Sequence, residues 1–151
     1  VADIFLNDEL PVPEFLRRLS EALPPGIRPT AAEPVSRELP SLQSQVTGAH
    51  YTVEVDTGDS GDAFASRLAQ FMARPDAWRE RRKGKETSPY DLRPLVQALA
   101  YRGTTSYGHC FDVTMRAEPG ATGRPDELLA ELGYESAPRR ITRLTLIFLE
   151  P

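Results

Sequence analysis

The chain of 151 residues predicts an α+β fold, on three observations. Short segments of alternating apolar and polar residues recur along it, AHYTVEVD at 49–56 being the cleanest. Apolar stripes of helical period lie between such segments, as at 15–23 and 64–72. Proline and glycine stand at most of the junctions, where they end one element and start the next.

Taken in order, ADIFLN at 2–7 predicts a short strand, followed by a turn whose prolines are placed to start a helix. In the helix from Glu14, Phe15, Leu19 and Leu23 recur at i, i+4, i+8, while Arg17, Arg18 and Glu21 face water. Pro24, Pro25 and Gly26 stop it, and 27–35 predicts an extended return weakened by Pro29 and Pro34. Residues 1–40 thus form a βαβ fragment too small to be stable alone, the second half of a truncated first lobe. A polar connector over 36–44 marks the expected boundary.

The second domain spans 45–151. In the strand at 49–56, Tyr51, Val53 and Val55 share one face and His50, Thr52, Glu54 and Asp56 the other. Ser60 or Asp62 caps a helix that points Phe64, Leu68, Phe71 and Met72 inward, and Pro75 ends it. Residues 78–83 and 86 onwards predict a hairpin turning at Gly84. A second hairpin pairs 95–101 with 110–115. Pro125 opens a helix with Asp126 and Glu127 in its first turn and Leu128, Leu129 and Leu132 inward. ITRLTLIFL at 141–149 is apolar on both faces in its second half and predicts a central strand. The order β-α-(hairpin)-β-β-α-β is that of a ferredoxin-like split βαβ domain with one extra hairpin.

Composition excludes several function classes. At 40% apolar residues the chain is not a disordered tail. No apolar run approaches the roughly 20 residues of a membrane span, and the chain shows no charged-then-apolar leader pattern, so no membrane partner and a cytoplasmic setting are expected. The chain opens at Val1 inside a strand-like pattern, and further sequence is expected upstream. One cysteine, Cys110, allows no internal disulfide. His50, His109 and Cys110 lack metal-site spacing, and the last two point to opposite faces of a strand, so no metal is expected. Neither glycine-rich phosphate-loop pattern occurs, no nucleophile pair stands out, and no cofactor is expected.

Charge is distributed unevenly. Residues 1–62 hold four basic and eleven acidic side chains, residues 78–102 seven basic and three acidic. Five of the eight residues at 78–85 are cationic: Arg79, Arg81, Arg82, Lys83 and Lys85. Alternation puts Arg79, Arg81 and Lys83 on one face of the hairpin and Arg82 on the other. Arginine forks suit phosphate oxygens, and Trp78 or Tyr90 could stack an unpaired base, so an RNA or another polyanion is the predicted ligand. The plainer reading is an edge kept monomeric by charge. Asp91 and Arg93 form either an anion grip or, on ordinary turn chemistry the favoured reading, a structural corner. Arg139, Arg140 and Arg143 either extend the basic surface or are a solvated strand start.

The stretches DIFLN, EFLRRLSEALPPGIR, RRKGKETSPYDLRPLV, RPDELLAELG and RRITRLTLIFLE resemble the C-terminal two thirds of the radical SAM-linked protein family, a bacterial domain of unknown function found beside or fused to a radical SAM protein. The resemblance implies a radical SAM enzyme as partner. It also implies an N-terminal segment whose motifs are not in this chain. Three functions are therefore expected in order: a non-catalytic accessory domain that presents the hairpin to RNA, a module that docks on the enzyme without nucleic acid, and a fragment of an enzyme whose site lies upstream.

Overall fold

The computed structural model describes residues 2–36, 38–84, 86–118 and 120–149. They divide into two compact units, Val1–Gln43 and Ser44–Pro151, each taken by itself.

In the first unit, helix α1 (Val12–Ala22) starts at the prolines and carries Glu14 in its first turn. Arg17 bonds Glu14 and Glu21, both at 2.8 Å, and Arg18 bonds Glu14 at 2.6 Å. These are the i, i+3 and i, i+4 spacings at which helical side chains meet. The Arg17 and Arg18 bonds hold the Glu14 carboxyl down at about 2. No residue of α1 is buried. The strands expected at 2–7 and 27–35 are not formed: these residues carry no strand pairing. An extended segment becomes a strand only when a neighbour accepts its ladder, and Pro29 and Pro34 withdraw donors from the second segment. The Leu42 amide instead closes the unit onto Asp3 Oδ2 at 2.7 Å. Helix α2 (Leu42–Gln45) is a single turn.

The second unit follows the element order that the pattern predicts. Strand β1 (Val46–Val55) leads to helix α3 (Gly61–Ala73), where the Ser60 hydroxyl accepts from the Ala63 amide and Phe64, Leu68 and Phe71 are buried. Strands β2 (Trp78–Lys83) and β3 (Glu86–Asp91) form the first hairpin, with Gly84 between them at φ +65°. A 3₁₀ turn at Arg93–Leu95 leads into β4 (Val96–Thr104) and β5 (His109–Glu118). The two-residue strand β6 (Ala121–Thr122), helix α4 (Pro125–Glu131) and strand β7 (Arg139–Phe148) complete it.

The main sheet has the order β4-β5-β1-β7 with every pair antiparallel, and β6 pairs with β5. Odd-numbered residues of β1 and β5, among them Val53, Val55, Phe111, Val113 and Met115, join Phe64, Leu68, Phe71, Leu92, Leu128 and Leu129 in one core. Both helices therefore cover the same face of the sheet. The even-numbered residues form the other face and bond to one another: His50 to Thr114 at 2.8 Å, Thr52 to Asp112 at 2.7 Å. Gly108, before β5, has φ +151° and would place a Cβ 2.3 Å from the Val55 carbonyl oxygen, so a side chain is excluded there.

A further expectation is overturned. β7 is not central: it ends the sheet, paired with β1 and, among the described residues, with nothing on its other side. An apolar run on both faces does not fix the number of ladder neighbours: at the sheet's end no residue of β7 is fully buried. Ile141 packs on the core, and Ile147 lies where Gly48 leaves a gap on the opposite face.

Candidate nucleic-acid interface

The basic stretch does fold as a hairpin, in the register Arg79↔Tyr90, Glu80↔Pro89, Arg81↔Ser88, Arg82↔Thr87, Lys83↔Glu86. Alternation puts Arg79 and Arg81 on one face as expected, but that face is already occupied. Arg79 bonds Glu131 at 2.9 Å and Arg81 bonds Glu127 at 2.7 Å. Arg81 also donates to the Thr122 carbonyl at 2.8 Å and lies 4.3 Å over the Tyr90 ring. Arg74, from the end of α3, reaches Glu131 at 2.6 Å.

The match is geometric. Strand residues two apart are separated by about 6.6 Å and helix residues four apart by about 6 Å, so Arg79 and Arg81 on β2 meet Glu131 and Glu127 on α4 rung for rung. Both carboxylates are mostly shielded, at 15% and 17% exposure. Burial works to raise the Glu131 carboxyl, but the bonds from Arg74 and Arg79 outweigh it and hold it below its ordinary range. At Arg81, burial favours the neutral form, and the Glu127 bond overrides it to keep the guanidinium charged. Burial and the Glu127 charge together push the Tyr90 hydroxyl up. Tyr90 therefore serves as a floor for Arg81 rather than as a free stacking platform.

Asp91 and Arg93 form a structural corner. Asp91 Oδ1 accepts from the Ala77 amide at 2.7 Å and the Arg93 amide at 2.9 Å. The Arg93 guanidinium donates to the Met72 carbonyl at 2.9 Å and the Val96 carbonyl at 2.9 Å. It thereby satisfies an open carbonyl in the last turn of α3. Arg139 is likewise engaged, with Asp126 at 2.7 Å and the Glu135 carbonyl at 2.9 Å. Arg140 lies 4.2 Å over the Tyr107 ring.

The hairpin's opposite face is the open one. It carries Trp78, 66% exposed, with Glu80 and Arg82, both exposed. Among the described residues Arg82 bonds the Gly84 carbonyl, at 3.1 Å, and no other group. Lys83 ends β2 beside the turn, and Lys85 lies outside the described residues. The sequence reading missed the acidic partner helix. Its signal was present in Glu127 and Glu131, four apart on one helix face.

A second polar cluster is internal. His109 is buried and stacks on Phe64 at 4.6 Å. Its Nε2 lies 3.0 Å from the Asp59 carbonyl oxygen, which only accepts, so that nitrogen carries the proton, and Nδ1 sits 2.8 Å from the Tyr101 hydroxyl. Tyr134 donates to the Asp59 carboxylate. These groups satisfy one another's hydrogen bonds. Among the described residues no three His, Cys, Asp or Glu side chains converge as metal ligands, and no helix is long and apolar enough to cross a membrane.

A family model described as an uncharacterized protein conserved in bacteria (DUF2344) matches residues 1–125. No curated protein and no solved structure gives a significant match.

Proposed function

The chain belongs to that bacterial family, and we propose that it is a non-catalytic accessory domain whose β2–β3 hairpin holds a single-stranded RNA or a similar polyanion. The supporting observation is the division of labour on the hairpin. Arg79 and Arg81 clamp one face to α4, while Trp78 and Arg82 stand exposed on the other. A clamped arm loses little conformational freedom on binding, and an exposed indole beside cations is the combination that stacks a base while phosphates are neutralised.

The strand order β4-β5-β1-β7 with two helices on one face supports a ferredoxin-like split βαβ domain carrying the hairpin as an insertion. The resemblance to radical SAM-linked proteins supports a division in which a separate radical SAM enzyme does the chemistry and this domain positions its substrate.

The test is binding of labelled transfer and ribosomal RNA across a salt series, beside a variant with Arg82, Lys83 and Lys85 changed to Glu. Three phosphate contacts on a single strand give a log–log slope of about −2, and the variant should lose it. RNA binding that is absent, or unchanged in the variant, rejects the proposal.

A further inference from the structure

We propose that the free edge of β7 accepts an extended segment of another protein, apolar in its first half and rich in carboxylates in its second. This surface is a different element from the hairpin and does not depend on the RNA reading.

The first observation is the position of β7. Among the described residues only β1 pairs with it, so its other edge carries an unpaired ladder. Leu144 within it and Leu149 just past its end stand 61% and 59% exposed. A row of unpaired backbone groups beside exposed leucines is a template for a further strand.

The second observation is charge. From 139 to 148 the strand carries Arg139, Arg140 and Arg143 and no carboxylate. Arg139 is paired with Asp126 and Arg140 lies on Tyr107, whereas Arg143 has no hydrogen-bond or ion-pair partner among the described residues. Arg143 adjoins the β-bulge at Leu144, where the register with β1 passes from Tyr51↔Arg143 to His50↔Thr145. The strand is thus cationic before the bulge and apolar after it.

These features decide between occupants. A second copy, laid antiparallel, would set the cationic half of each β7 against the apolar half of the other, so the arginines would be desolvated without a carboxylate opposite. Arginines and a bulge on an edge are the devices that keep copies of a chain apart. A foreign strand laid antiparallel, as every neighbour in this sheet is, meets the apolar end of β7 with its first half and Arg143 to Arg139 with its second. Charge complementarity therefore selects a carboxylate-bearing segment in that order.

The experiment uses the full chain and a fluorescent peptide of roughly 12 residues, alternating Thr with Val in its first half and Thr with Glu in its second, with a control carrying Lys for Glu. The Glu peptide should bind at least about tenfold tighter than the Lys peptide. Arg143→Glu should erase or reverse that preference, Leu144→Asp should weaken binding of either peptide, and amide exchange over 139–149 should slow when the Glu peptide is bound. Both substituted residues are exposed, so circular dichroism should be unchanged. Equal binding of the two peptides, or binding of neither, overturns the proposal. So does a dimer in sedimentation that Leu144→Asp dissociates, because the edge would then belong to a second copy.

Discussion

Arg81 grips Glu127 through both carboxylate oxygens, at 2.9 and 2.7 Å, with its guanidinium over the Tyr90 ring. Strand and helix are locked there by a pair with 30% and 17% exposure, between the regimes of a surface ion pair and a buried one. Removing either partner should cost about 1–3 kcal/mol, more than an exposed pair and less than a fully buried one. A double-mutant cycle of Arg81→Met and Glu127→Gln, read by urea denaturation, should return a coupling near 1 kcal/mol. Additivity of the two losses would show that the hairpin is held by something else.

Acid should loosen the same junction at its second rung. Arg74 and Arg79 keep the Glu131 carboxyl below its reference value of 4.5, so the folded state binds that proton less readily than the unfolded chain. A depressed folded value means the stabilisation is complete above about pH 4.5 and is lost as pH falls toward the lower folded value. The stability difference between the native chain and Glu131→Gln should therefore shrink as pH falls through that window. A difference that is flat from pH 7 to about pH 3 would contradict the assignment.

Alkali should act just beyond the same end of α4, at Tyr134. Burial, with the bond to Asp59 second, pushes the Tyr134 hydroxyl up to about 12. A phenol whose folded value exceeds its unfolded 10 stabilises fully below pH 10, and the contribution is lost between 10 and 12. Tyr134→Phe should remove that alkaline dependence while costing stability at neutral pH, because the Asp59 carboxylate loses its donor. Absorbance titration of the tyrosines gives the independent check.

The contrast between β1 and β7 shows which part of this fold is legible from residues alone. In β1 the period of two marks the core face because Val53 and Val55 alternate with Thr52 and Glu54, and the sheet buries them accordingly. In β7 the same logic fails to locate the strand, since hydrophobicity says nothing of ladder neighbours. The segments at 2–7 and 27–35 fail for a related reason: extended propensity is local, but a strand needs a partner. At the hairpin, counting cations found the arm and alternation found its faces. Which arginines were free depended on Glu127 and Glu131, some 46–52 residues away in the chain, and only the fold brings them together.

That division makes the two faces of the hairpin separable in solution. Trp78→Ala should weaken single-stranded RNA binding by about 1–3 kcal/mol, the worth of one stacked base, and leave the salt slope unchanged, because no charge is removed. Arg82→Gln should shift the slope by about 0.7 toward zero, one phosphate contact on a single strand. Arg79→Gln removes a cation from the same arm, but one already neutralised by Glu131. It should leave the slope where it was and lower thermal stability instead. If Arg79→Gln and Arg82→Gln reduce the slope equally, the nucleic acid displaces Glu131, and the clamped face rather than the open one is the contact surface.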